Sequence, residues 1–330
     1  MSSVKLPWTL RLVFAIFGFI LKAARRSNGT INRSLLNFFD PKTAPSQTPQ
    51  HGVVTSDAVV DSSRCLWFRV FTPTCANPKD TNMPIVFYFH GGGFALLSAA
   101  SFVYDKWCRR LARELRAVVV SVNYRLAPEH LFPCQYEDGF DAVKFVDSHF
   151  DELSVSGNPK WCFLAGDSAG GNLAHHVAVR AGDYVFGRLK FMGIIGLNPF
   201  FGGEERTESE ITNGNNPLLS LDLTDWYWKM FLPNGSDRDH PAVNVFGPRS
   251  SSVDILPTRF PATLLFIGGL DLLRDWQRKY CEGLKKAGKE VHLVEDPNAF
   301  HVSFMFKQLP EYNSCIKEIQ DFMQKLVKKD

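Results

Sequence analysis

The chain has 330 residues, 45% of them hydrophobic and 22% charged, a composition that supports a sizeable folded core and excludes collagen-like and disordered chains. Thirty-seven Lys and Arg against 34 Asp and Glu leave a formal charge of +3, with no long basic stripe, which excludes a nucleic-acid-binding surface. Seven cysteines at scattered spacings without a C-x-x-C pair read neither as a disulfide framework nor as a zinc site, and fit a reducing cytoplasmic or nuclear location.

The first distinctive segment is the apolar run 12–21, LVFAIFGFIL, set between Arg11 and the basic residues Lys22, Arg25 and Arg26. It is about half of the roughly 20 residues that span a bilayer, and no A-x-A site follows it. The run therefore predicts an amphipathic helix that covers apolar surface, without stable membrane insertion. Contact with a membrane surface through the basic flank is the competing reading. Residues 1–50 read as this lid helix and a Pro-rich linker. Three Asn-x-Ser/Thr triplets, at Asn28, Asn32 and Asn234, matter only in a secreted chain.

Alternating segments at 55–60 and 66–72 predict antiparallel strands. From Met83 onward, buried apolar runs at 84–89, 117–122, 161–165, 191–197, 262–268 and 291–294 alternate with helical stretches at 104–116, 137–149, 169–181, 274–287 and 312–327. That alternation predicts right-handed βαβ units and a mostly parallel central sheet with helices on both faces, within a single domain over 1–330. Residues 202–257 break the rhythm. They are rich in Gly, Asn, Ser and Pro yet carry Trp226, Tyr227, Trp228 and Phe231, and are expected to form a helical cap over the strand ends together with the N-terminal helix.

The chemistry concentrates at the ends of the predicted strands. His90-Gly91-Gly92-Gly93-Phe94 follows the run 84–89, and its glycines expose backbone N–H groups to a developing oxyanion. No G-x-G-x-x-G or G-x-x-x-x-G-K-[ST] pattern is present to make it a phosphate loop. Gly166-Asp167-Ser168-Ala169-Gly170 is a G-x-S-x-G between a strand and a helix, the setting in which a tight turn lifts a serine hydroxyl above the sheet. Small flanking residues are needed there, since a Cβ at either glycine would clash with neighbouring strands. Ser168 is the candidate nucleophile. Gly92, Gly93 and Ala169 are the foremost oxyanion donors, with Gly91 in the same loop.

A serine needs a base, and His301, after the last predicted strand, is the histidine placed at the same sheet edge. His90 belongs to the glycine loop and His175 and His176 to the helix after Ser168, while His51, His130, His149, His240 and His292 lie elsewhere. Asp271, at the end of the 262–268 run, is the candidate acid; Asp275, a turn later, is the reserve. Asp167 should point away from the serine and be structural. A Ser, acid, His order calls for no metal or other cofactor.

These motifs, with Tyr124-Arg125-Leu126-Ala127-Pro128-Glu129, resemble in order and spacing the plant carboxylesterases of the hormone-sensitive-lipase branch of the α/β-hydrolases. The resemblance implies an α/β-hydrolase fold and hydrolysis of small carboxylic esters of short to medium acyl chain. The gibberellin receptors of the same branch are also similar, in the N-terminal helix, in Arg26-Ser27-Asn28-Gly29-Thr30 and in Gly203-Glu204-Glu205-Arg206-Thr207-Glu208-Ser209. That likeness implies the alternative: a small-molecule binding protein whose N-terminal lid closes on a ligand for a protein partner to dock upon. Receptors of this kind replace the triad histidine with an apolar residue and end the glycine loop in serine. Here His301 and Gly93 stand at those places, and the departure favours catalysis.

Overall fold

The strands follow the apolar runs closely: β1 (Val53–Asp61), β2 (Leu66–Pro73), β3 (Ile85–Phe89), β4 (Val118–Asn123), β5 (Cys162–Asp167), β6 (Phe191–Leu197), β7 (Ala262–Gly268) and β8 (Val291–Asp296). The helices are α1 (Trp8–Ala24), α2 (Arg33–Phe39), α3 (Phe102–Leu115), α4 (Cys134–Ser148), α5 (Ala169–Asp183), α6 (Glu208–Asn213), α7 (Leu221–Phe231), α8 (Arg274–Lys286) and α9 (Glu311–Lys329). The computed structural model describes residues 7–26, 29–74, 82–153, 157–214, 218–250 and 256–329. Met1 to Leu6, the Asn28 triplet position and parts of the 202–257 insertion lie outside the described residues.

One eight-stranded sheet runs in the order β1-β2-β4-β3-β5-β6-β7-β8. β1 and β2 pair antiparallel, β2 joins β4 antiparallel, and every later pairing is parallel. β3, β4 and β5 are buried almost throughout, as continuous Val, Ile and Phe runs in a sheet covered on both faces should be. Two apolar clusters form, one on each face of the sheet: Phe87, Phe89 and Val120 belong to one, Val86, Tyr88 and Val119 to the other. β8 departs from expectation. As the edge strand it is half-buried, with Leu293 40% exposed, because no strand pairs beyond it among the described residues.

Other corrections concern the N-terminal quarter. The linker over 40–51 is pinned to the body, with the Thr43 N–H donating to Ala100 O at 2.8 Å and the Ser46 N–H to Thr55 Oγ1 at 2.8 Å. α2 was not among the expected elements. Asn32 caps it, its side chain accepting from the Leu35 N–H at 3.2 Å, so this triplet position serves the helix terminus. Arg33 then ties α2 to Glu129 and to the carbonyls of Ala95 and Ala127.

The N-terminal half of α1 packs on the loop after β8. Its Phe14, 1% exposed, meets Phe300 and Phe306 edge-on at 5.9 and 5.2 Å, with Leu10 beside it. At its other end Arg25 donates to Asp222 at 2.6 Å and stacks over Trp226. The helix thus bridges the loop after β8 and α7 of the insertion. Truncation of a buried Phe costs about 3 kcal/mol or more. Phe14→Ala is therefore expected to loosen α1, seen as protease cleavage within the first forty or so residues at concentrations that spare the wild type. An unchanged digestion pattern would show that these ring contacts do not hold the helix.

Candidate active site

Ser168 follows β5 directly and adopts φ 51° and ψ −119°, a conformation rarely open to non-glycine residues and the mark of a sharp strand-to-helix turn. The surroundings hold it there. Its N–H donates to Leu197 O at 3.0 Å, and its carbonyl accepts from Gly171, Asn172 and Phe200. The glycines are needed for close approach: a Cβ at Gly170 would lie 1.9 Å from Phe89 O at the end of β3, as expected of a neighbouring strand. At Gly166 the clash is instead with the turn itself, 2.2 Å from Gly170 O.

Ser168, His301 and Asp271 come together although they stand after three different strands. His301 Nε2 is 3.0 Å from Ser168 Oγ, and His301 Nδ1 is 2.8 Å from Asp271 Oδ2. All three are buried, Asp271 completely. The Asp271 carboxylate also accepts from the Leu273 N–H at 3.0 Å and from Gln277 Nε2 at 3.1 Å, which fix its orientation. Asn198, after β6, accepts the Val302 N–H at 3.1 Å and so steadies the loop that carries His301. Asp275, the reserve acid, is engaged elsewhere, accepting from the Ser209 N–H at 2.7 Å and from Arg274 at 2.9 Å.

Because β3 pairs with β5, the glycine loop lies beside Ser168. Gly92 and Gly93 have φ of +104° and +61°, and a Cβ on Gly93 would fall 2.3 Å from the Tyr227 ring, so the loop tolerates only glycine there. Among the described residues the N–H groups of Gly92, Gly93 and Ala169 meet no acceptor. Gly91 does not belong with them. Its N–H turns inward, 2.7 Å from Tyr104 Oη and 3.1 Å from Asp167 Oδ1, and is spent on a buried carboxylate.

That carboxylate is structural, as its place on the turn implied, but it does more than fill space. Asp167 accepts from Tyr88 Oη at 2.7 Å and Tyr104 Oη at 2.8 Å as well as from Gly91, joining β3, α3, the turn and the glycine loop. Burial pushes it up to about 6 despite these bonds, and the same burial drives both phenols well above their ordinary value. His90 stacks on Tyr124 at 4.3 Å, and burial holds it down to about 4, a neutral ring that props the loop. His175 bonds Tyr280 and His176 stacks on Tyr136, both away from Ser168.

The aromatic insertion divides between core and site. Trp228 stacks on Phe200 at 3.9 Å and Phe231 on Phe94 at 4.0 Å, whereas Tyr227 closes on Gly93. Sequence reasoning did not find Gln277, Asn198, Tyr88 or Tyr104. Each reaches the site from a separate element, and no spacing in the chain signals it.

Residues 86–305 match the family model of the alpha/beta hydrolase fold. The chain is 42% identical to the gibberellin receptor GID1C of Arabidopsis thaliana, over 98% of this chain and 95% of the receptor. It is 38% identical to carboxylesterase 20 of the same plant, over 86% and 88% of the two chains. Among solved structures, an esterase of Pyrobaculum calidifontis superposes with a TM-score of 0.71 at 28% identity, covering 98% of this chain and 95% of that one. With the family model spanning two thirds of the sequence and plant relatives matching over most of their length, the chain belongs to the α/β-hydrolase fold family.

Proposed function

We propose that this chain is a serine carboxylesterase acting on small apolar esters, with Ser168, His301 and Asp271 as its catalytic triad. The observation that carries the reading is the continuous contact from Asp271 Oδ2 through His301 to Ser168 Oγ, 2.8 and 3.0 Å, on a strained turn. Relatedness to carboxylesterase 20 and to the Pyrobaculum esterase supports it.

In the reaction Ser168 Oγ attacks the ester carbonyl carbon as His301 Nε2 takes its proton. Asp271 holds the Nδ1–H side of the ring and stabilises the imidazolium. Negative charge on the carbonyl oxygen is met by the N–H groups of Gly92, Gly93 and Ala169, the last at the N-terminus of α5 where the helix dipole adds to the effect. Collapse breaks the ester bond, and the departing alkoxide takes the proton from His301. Water, deprotonated by the same ring, then attacks the acyl carbon, releasing the carboxylic acid and returning the proton to Ser168. No cofactor enters this sequence. Leu10, Phe14 and Leu270 cluster with Phe300, the residue before His301, an apolar patch that suits an apolar substrate group.

A second reading has its own support in the gibberellin receptors among the relatives and in α1, which packs on Phe300 next to His301. On that reading α1 and the 202–257 insertion form a cover that closes over a bound small molecule, and a protein partner docks on the closed form. The two readings separate in one assay. Hydrolysis of p-nitrophenyl esters is expected to fall at least about 10⁴-fold in Ser168→Ala and in His301→Ala, with an organophosphate labelling Ser168 alone. A folded but inert wild type that binds a gibberellin would transfer the assignment to the receptor reading.

Asp167 supplies a further check, as the group that sets the glycine loop. Asp167→Asn keeps the size but replaces one of the two acceptor oxygens with an amide donor, so it no longer accepts from Gly91 and both phenols together, and kcat is expected to fall about a hundredfold. Burial raises the folded-state value from 3.8 to about 6, so the folded chain holds this proton more tightly than the unfolded one. That contribution favours folding at and below 3.8 and is lost as pH rises to about 6. The wild-type Tm minus the variant Tm should therefore fall across this window and stay level above it; a difference that is flat throughout contradicts the burial argument.

A further inference from the structure

The apolar run of α1 is used on two sides. Leu10, Phe14, Ile20, Leu21 and Ala24 are buried against the body. On the opposite side Trp8 is 75%, Leu12 53%, Ile16 49% and Phe19 74% exposed, and their spacing places them in one stripe along the helix. Phe38 and Phe39 of α2 are exposed as well, at 80% and 51%. A cluster of uncovered large side chains of this kind marks a surface built to meet something apolar.

Charge says what. The 39 residues before Asp40 contain Lys5, Arg11, Lys22, Arg25, Arg26 and Arg33 and no acidic residue, a charge of +6. With +3 for the whole chain, the remaining 291 residues carry 3 minus 6, or −3. Arg25 and Arg33 are paired with Asp222 and Glu129, and the excess of positive charge lies in the segment that carries the exposed apolar stripe. Arg11 and Lys22 are exposed and flank that stripe on the helix, and Arg26 is exposed just beyond its end. Trp and Phe in a stripe bordered by basic side chains, on a helix of 17 residues too short to span a bilayer, is the pattern of a helix lying in an interface.

We propose that α1 docks this protein on an anionic lipid surface, with Trp8, Leu12, Ile16 and Phe19 entering the headgroup boundary and Arg11, Lys22 and Arg26 facing the phosphates. A cavity of about 720 Å³ between α1 and α2 opens at the same place: Val13, Ile16 and Phe39 both line it and are exposed. Its inner wall includes Leu96 and Tyr124, next to the glycine loop, so the docked face leads to an apolar space at the edge of the site. The inference does not depend on the hydrolase reading, because it rests on the exposed residues and the charge of the N-terminal segment.

Flotation of the full chain with phosphatidylcholine vesicles, with and without phosphatidylserine, tests it. The floated fraction is expected to be about tenfold or more larger with phosphatidylserine, and to collapse in high salt. The exposed-face variant Leu12→Glu/Phe19→Glu should stay at the bottom of the gradient while keeping wild-type Tm and ester turnover. Wild type that does not float with phosphatidylserine vesicles, or flotation untouched by the double variant, overturns the proposal. So does a dimer in size-exclusion chromatography that the double variant abolishes without any flotation, which would assign the stripe to a second copy of the chain.

Discussion

Gly170 sits so close to the end of β3 that a methyl group there would lie 1.9 Å from Phe89 O, and the rest of the site hangs on that approach. It sets the start of α5 against the mouth of the glycine loop. Among the described residues the N–H groups of Ala169, Gly92 and Gly93, on the two segments so joined, meet no acceptor. The positive φ of Ser168 is the strain that results, stored in a turn over-determined by hydrogen bonds from Gly171, Asn172 and Phe200 to its carbonyl. Parallel pairing of β3 with β5 makes the arrangement repeatable, because register fixes where each strand ends.

Two buried carboxylates then divide the work. Asp271 is complemented by the Leu273 N–H, Gln277 and the imidazole, an arrangement that aims it at His301. Asp167, one residue before the serine, is surrounded by two phenols and one N–H, and its charge is tolerated less. Its bonds run to the glycine loop and away from the imidazole. One carboxylate holds the imidazole of His301 and the other shapes the loop, and the difference is made by partners, since both sit at strand ends of the same sheet.

The strand ends were legible in the sequence because parallel strands buried on both faces leave long apolar runs, and motif residues follow those runs directly. Ser168, Asp271 and His301 could each be placed in this way, and the two strands at 55–60 and 66–72 likewise. What escaped has a common physical origin. Gly91 looks like its two neighbours in the chain, and only the position of Asp167 and Tyr104 decides that its N–H points inward. Gln277 and Asn198 act across elements, through contacts that have no period. β8 shares the apolar run 291–294 but carries His292, Glu295 and Asp296, and its exposure follows from being last in the sheet order, which the run alone does not encode.

α1 is where packing and surface chemistry meet. Its inner face packs through Phe14 and Leu10 against Phe300, the residue that precedes His301, and through Leu21 and Ala24 on the main core. Ser168 and His301 are only 8% and 5% exposed, so little of either side chain is open to solvent. Any environment that stabilises the outer stripe of α1 in one position more than in another must, by linkage, alter how readily the inner face leaves Phe300. The two faces share one rigid helix, with no proline and a single internal glycine to let them move separately. A contact at Trp8 or Phe19 and the packing of Phe14 on Phe300 thus fall on opposite sides of the same helix.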